Sequence, residues 1–105
     1  MKLILRTTIL GIALTLPFIA SASEELAKKN NCLACHTVDK KVLGPAYKDV
    51  AAKYENTPEN VEMLVGKVKN GGSGNWGQVP MPPNPTVSDE DAKTIVEWVL
   101  SLPTE

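Results

Sequence analysis

Cys32 and Cys35 stand three positions apart and His36 follows at once; they are the only cysteines and the only histidine of the 105 residues. Three chemistries use such a spacing: a redox dithiol, half of a zinc site, and covalent attachment of a c-type haem, which wants histidine as the next residue. The dithiol is expected beside a βαβ pattern, and the chain shows no alternating runs that would supply one. Structural zinc takes four ligands, usually Cys and His, so a carboxylate would have to complete the set. A secreted structural disulfide would close too small a loop to staple a fold. Haem attachment uses all three residues. Two thiols add to two porphyrin vinyl groups, and the short chain between them carries the histidine beneath the ring to reach iron.

Iron bound by His36 has a sixth position to fill, and the donors are few: Met63, Met81 and the lysines. Met63 lies about 200° around a helix from Val61, opposite the apolar stripe of its segment, and reads as an exposed helical methionine. Met81 sits in Val79-Pro80-Met81-Pro82-Pro83, where successive prolines restrict the backbone and can hold one side chain in place. Met81 is therefore the expected ligand, and a Met/His pair raises the reduction potential of haem. Without that ligand the open iron would bind small gases or peroxide, which is the rival reading as sensor or enzyme. A haem-bearing subunit fixed in a larger complex is a third reading. His36, spent on the metal, leaves no second titratable cluster to support catalysis.

The elements that must position these residues follow an address. Lys2 and Arg6 give a basic start, Ile9 to Ile19 is uncharged and mostly apolar, and Ala20-Ser21-Ala22 has the small-x-small form of a signal-peptidase site. Residues 1–22 are expected to be removed on export, leaving residues 23–105 as one domain. A retained anchor is disfavoured because the apolar run is interrupted by threonines, Gly11 and Pro17. Loss of Lys2 and Arg6 leaves 9 basic residues, all lysine, against 12 acidic ones. Such a chain lacks the clustered basic charge of a nucleic-acid binder. At 83 residues it is also near the size where small domains depend on a metal or another staple.

A first helix is expected from Ser23 to Asn31, acidic at its start and basic at its end. Pro45 can open a second, with Tyr47, Val50, Ala51 and Tyr54 on one stripe. Thr57-Pro58 restarts the pattern, with Val61, Leu64, Val65 and Val68 inward and a stop at Asn70-Gly71-Gly72. Residues 70–87 hold four glycines and four prolines, too broken for a helix or central strand. Trp76, Val79 and Met81 nevertheless read as buried within that loop. Ser88 and Asp91 then have capping spacing for a last helix with Ala92, Ile95, Val96 and Val99 inward, Trp98 and Leu102 flanking, and Pro103 as its stop. The class is all-α, four or five helices around one haem.

Cys32-Leu33-Ala34-Cys35-His36, the run Gly44 to Tyr54, Lys69-Asn70-Gly71, Asn75-Trp76-Gly77, Val79 to Asn84 and Val87-Ser88-Asp89 together resemble the short bacterial class I cytochromes c of the c-551 and c-552 group. The resemblance spans essentially all of residues 23–105. It implies the class I cytochrome c fold, first and last helices crossing, and a soluble periplasmic carrier that takes single electrons from a respiratory donor to nitrite reductase or a terminal oxidase; the carrier is expected to be a monomer. It also implies that Pro45 offers its carbonyl to the His36 ring, that Trp76 and Lys67 contact a haem propionate, and that Asn84 bonds near the Met81 sulfur. Lys67 departs from the arginine of some relatives and offers one point charge in place of a bidentate fork. An apolar patch at the haem edge, with Lys28, Lys29, Lys40 and Lys41 steering, is the expected docking surface.

Overall fold

The computed structural model describes residues 18–104 together with Gly11; most of the expected export signal, residues 1–22, lies outside the described residues. Four α-helices follow in order: α1 (Phe18–Lys29), α2 (Tyr47–Lys53), α3 (Pro58–Asn70) and α4 (Asp89–Leu100), with a 3-10 turn at Cys32–Ala34 between the first two. Among the described residues there is no strand, only isolated antiparallel bridges joining His36 to Lys41 and Gly72 to Met81. The fold is all-α, as the sequence pattern leads one to expect.

Helix α4 is the hub, packed against α1, α2 and α3. Its Ala92, Ile95, Val96 and Val99 are buried, as their 3.6-residue spacing dictates, and so are Trp98 and Leu100. Ala27 of α1, with no exposed surface, joins them, as do Tyr47 and Val50 of α2 and Val61 of α3. Fully burying one such aliphatic side chain contributes about 1.5–3 kcal/mol, so α4 carries a large part of the core.

The helix ends obey their local chemistry. Thr57 Oγ1 accepts the Asn60 N–H at 3.2 Å, with Pro58 at the first helical position, and Ser88 Oγ accepts the Asp91 N–H at 3.1 Å. Each satisfies an amide that the helix itself cannot pair. Gly71 closes α3 at φ 74°, a conformation that suits glycine. Several boundaries differ from expectation, and α2 and α4 end at Lys53 and Leu100, short of Tyr54 and Leu102. Helix α2 begins at Tyr47, not Pro45, because Ala46 is extended (ψ 142°) and serves as the cap; Pro45 is left in the loop with its carbonyl free to turn elsewhere. Helix α1 begins at Phe18 and runs unbroken past Ser23, residues 18–22 continuing the helix. It stops at Lys29, and Asn31, at φ 62°, turns the chain into the 3-10 segment.

Candidate functional site

The loop from Cys35 to Tyr47 is tied by its main chain. Gly44 N–H donates to the Cys35 carbonyl at 2.8 Å, Tyr47 N–H to Thr37 at 2.9 Å and Lys48 N–H to Val38 at 3.1 Å. Folding back in this way places the Pro45 carbonyl 2.8 Å from Nδ1 of His36, so Nδ1–H donates to it and leaves Nε2 as the free donor atom of the imidazole. Gly44 lies against the same ring: a Cβ there would land on Cε1 of His36 and come within 2.8 Å of Nδ1. The Tyr47 ring stacks on the imidazole, centroids 5.0 Å apart and planes 18° off parallel, and is met edge-on by Trp98 at 5.7 Å. Three neighbours thus fix one ring. Burial pushes the Tyr47 hydroxyl and the Cys32 thiol up from their usual values.

Met81 is held from the opposite end of the chain. Its N–H donates to the Gly72 carbonyl at 2.7 Å and its carbonyl accepts the Gly72 N–H at 3.1 Å. This two-bond bridge clips the proline-rich loop to the end of α3, and it requires Gly71 bare, since a Cβ there would overlap the Met81 carbonyl. The prolines alone do not hold the loop.

Cys32, Cys35, His36 and Met81 line one cavity of about 370 Å³, walled by core residues such as Val50, Leu64, Ile95 and Val99. Pro45, Lys67 and Trp76 line it too. Asn84 does not: its side-chain nitrogen donates to the Val68 carbonyl at 3.1 Å and the Pro82 carbonyl at 3.2 Å, so it braces the loop that carries Met81. The two thiols are half-buried and not joined to each other. Soft sulfur and imidazole donors on an apolar pocket of this size fit a haem, which needs two thiols for its tethers and neutral ligands for its iron. Zinc fits poorly, because among the described residues no group of three or more His, Cys, Asp or Glu could hold a metal ion.

A family model for cytochrome c matches residues 20–103. The chain belongs to the cytochrome c family. Cytochrome c-552 of Nitrosomonas europaea is 54% identical over 95 residues, covering 90% of this chain and 92% of that one. Cytochrome c-552 of Hydrogenobacter thermophilus is 47% identical over 102 residues, 97% of this chain and 99% of the other. A crystal structure of the wild-type Nitrosomonas europaea cytochrome c552 superposes with a TM-score of 0.73 at 57% identity, over 76% of this chain and 99% of that one. This cytochrome c carries covalent haem c with iron and is an electron carrier, not an enzyme. It works with redox partners, and among the described residues no helix is long and apolar enough to cross a membrane.

Several site features were not visible in the sequence. Met63, expected on the outer face of its helix, is 39% exposed yet lines the cavity, because α3 has both the α4 core and the cavity to face. Trp76 and Val79, expected to be buried, are 38% and 63% exposed and stand on the cavity wall instead of in the helical core. Lys53 lies over Trp76, 22 positions from the neighbouring Asn75 to which it bonds. A helical wheel could have placed Met63 beside Lys67, one turn apart; no local signal pairs Lys53 with the loop.

Proposed function

We propose that the chain is a periplasmic single-electron carrier in which Cys32 and Cys35 hold haem through thioethers and His36 and Met81 are the axial ligands of its iron. When bound, haem supplies a one-electron couple at iron. The observation that carries the reading is the convergence of Cys32, Cys35, His36 and Met81 on one cavity, with the histidine already oriented. Each thiol would add its S–H across one vinyl group. The Pro45 carbonyl fixes the imidazole tautomer and raises its basicity as a ligand, as a partner beyond the ligand shell generally does. Met81 contributes a neutral thioether, and the apolar wall disfavours the extra charge of the ferric state; both raise the potential. With His36 and Met81 both given to the iron, no open position would remain for substrate.

Lys67 and Trp76, on the same wall, are the proposed contacts for a propionate. The exposed rim residues Leu43 and Val79 form the proposed docking patch for a respiratory donor and for nitrite reductase or a terminal oxidase, with Lys28, Lys29, Lys40 and Lys41 steering a monomer. Export with cleavage after Ala22 is supported by α1 itself. Starting at Phe18, the helix has no acidic residue in its first turn; starting at Ser23, it has Glu24 and Glu25 there, where they favour the helix dipole.

Intact mass and N-terminal sequencing of the exported protein test this reading. The expected result is a chain starting at Ser23 with one haem added and no titratable thiol. A bare mass, or two free thiols in the native protein, would contradict it.

A further inference from the structure

Lys53 closes α2, and its ammonium reaches the glycine-rich loop whose Asn75 and Trp76 line the cavity. Nζ donates to the Asn75 carbonyl at 3.1 Å and stands 4.5 Å from the centroid of the Trp76 ring and 5.5 Å from that of Tyr54. The loop it touches is loosely built. Gly71, Gly74 and Gly77 all have positive φ, and side-chain atoms placed on Gly74 or Gly77 would meet nothing within 4 Å. Glycine backbone of this kind is free to move unless something fixes it. The base of the loop is fixed by the Gly72–Met81 bridge, and its tip closes on itself through the Gly74 N–H to Gly77 carbonyl bond at 2.9 Å. Among the described residues, Lys53 makes the hydrogen bond and the ring contact that join residues 73–78 to a helix.

We propose that Lys53 is a latch: a positioning residue that holds Trp76 against the cavity and so governs water access to the haem edge and the reduction potential. It rests on the reading of this cavity as the haem site. The ammonium binds the carbonyl and the indole face together, so it orders two consecutive residues of a glycine-rich segment with one group. Both Asn75 and Trp76 line the cavity, and their release would admit water to it. Water and the loss of a fixed positive charge each favour the ferric state, so release lowers the potential. An arginine also stacks on aromatic faces as a cation and should keep the latch closed; a methionine keeps the aliphatic stem without the charge.

The test uses the holoprotein and its Lys53→Met, Lys53→Arg, Trp76→Leu and Lys53→Met/Trp76→Leu variants, with amide hydrogen exchange at residues 72–77 and the reduction potential as readouts. Intact mass first confirms haem in each, so loss of haem from the wild type would count against the site and not against the latch. Lys53→Met is expected to speed exchange at Gly74 roughly two- to fivefold, the factor that an exposed cation–π contact supports, and to lower the potential. Lys53→Arg should restore both, and in the Trp76→Leu background Lys53→Met should add less than half of either effect. Exchange and potential unchanged in Lys53→Met, Arg behaving as Met does, or an undiminished effect in the Trp76→Leu background would overturn the proposal. If Trp76→Leu fails to fold, the comparison of Arg with Met decides.

Discussion

A methyl group at Gly44 would strike the His36 ring, and the ring cannot retreat because Tyr47 stacks on it and Pro45 holds its Nδ1–H. Gly44→Ala is therefore expected to destabilise the holoprotein by about 1–3 kcal/mol, the usual cost of overpacking a well-filled site, and to shift the potential as the imidazole turns. Urea unfolding with voltammetry would check it; wild-type values for both would show that the ring is free to move. The thiols and the imidazole were readable as a group from the five-residue run Cys32 to His36, because haem attachment depends on their spacing. The crowding at Gly44 was not, since it arises only when Gly44 N–H bonds to the Cys35 carbonyl and folds the loop over the ring. Asn84 shows the same limit: its type predicted a bond, while its position chose the Val68 and Pro82 carbonyls as partners.

At the scale of elements, local sequence was most informative where local physics decides. Thr57 and Ser88 were recognisable as caps because the bond each makes spans three residues. Ser88→Ala should accordingly cost about 1 kcal/mol, whereas Ile95→Ala, 3% exposed in the centre of α4, should cost about 2–5 kcal/mol. Denaturant midpoints would separate them, and equal losses would mean that α4 is not the hub of the core. Helix α3 was only half legible. Its Val61 stripe pointed to one inward face, but the cavity takes in Met63 and Lys67 from outside that stripe as well as Leu64 and Val68 from within it. A wheel assigns one inside to a helix, and a helix beside a cofactor pocket has a wider one. The Gly72–Met81 bridge, likewise, lay hidden in a stretch whose glycines and prolines signal only the absence of regular structure.

For the whole molecule, the low charge of residues 23–105, 9 basic against 12 acidic, sets how it meets partners. Exposed charges are screened beyond ~8 Å at physiological ionic strength, so docking through an apolar rim should respond modestly to salt. Electron-transfer rates with a true partner should vary with salt by less than the roughly 10- to 1,000-fold span of strongly steered association; stopped-flow kinetics against ionic strength would show whether they do. The central claim is that His36 and Met81 occupy both axial positions of the iron, which makes a carrier of what would otherwise be a ligand-binding haem. Carbon monoxide binding to the ferrous protein at neutral pH, followed by its optical spectrum, tests this most directly. The wild type is expected not to bind the gas, and Met81→Ala to bind it at a lowered potential with the fold retained, since the thioethers and His36 still hold the haem. Ready binding by the wild type would contradict methionine ligation.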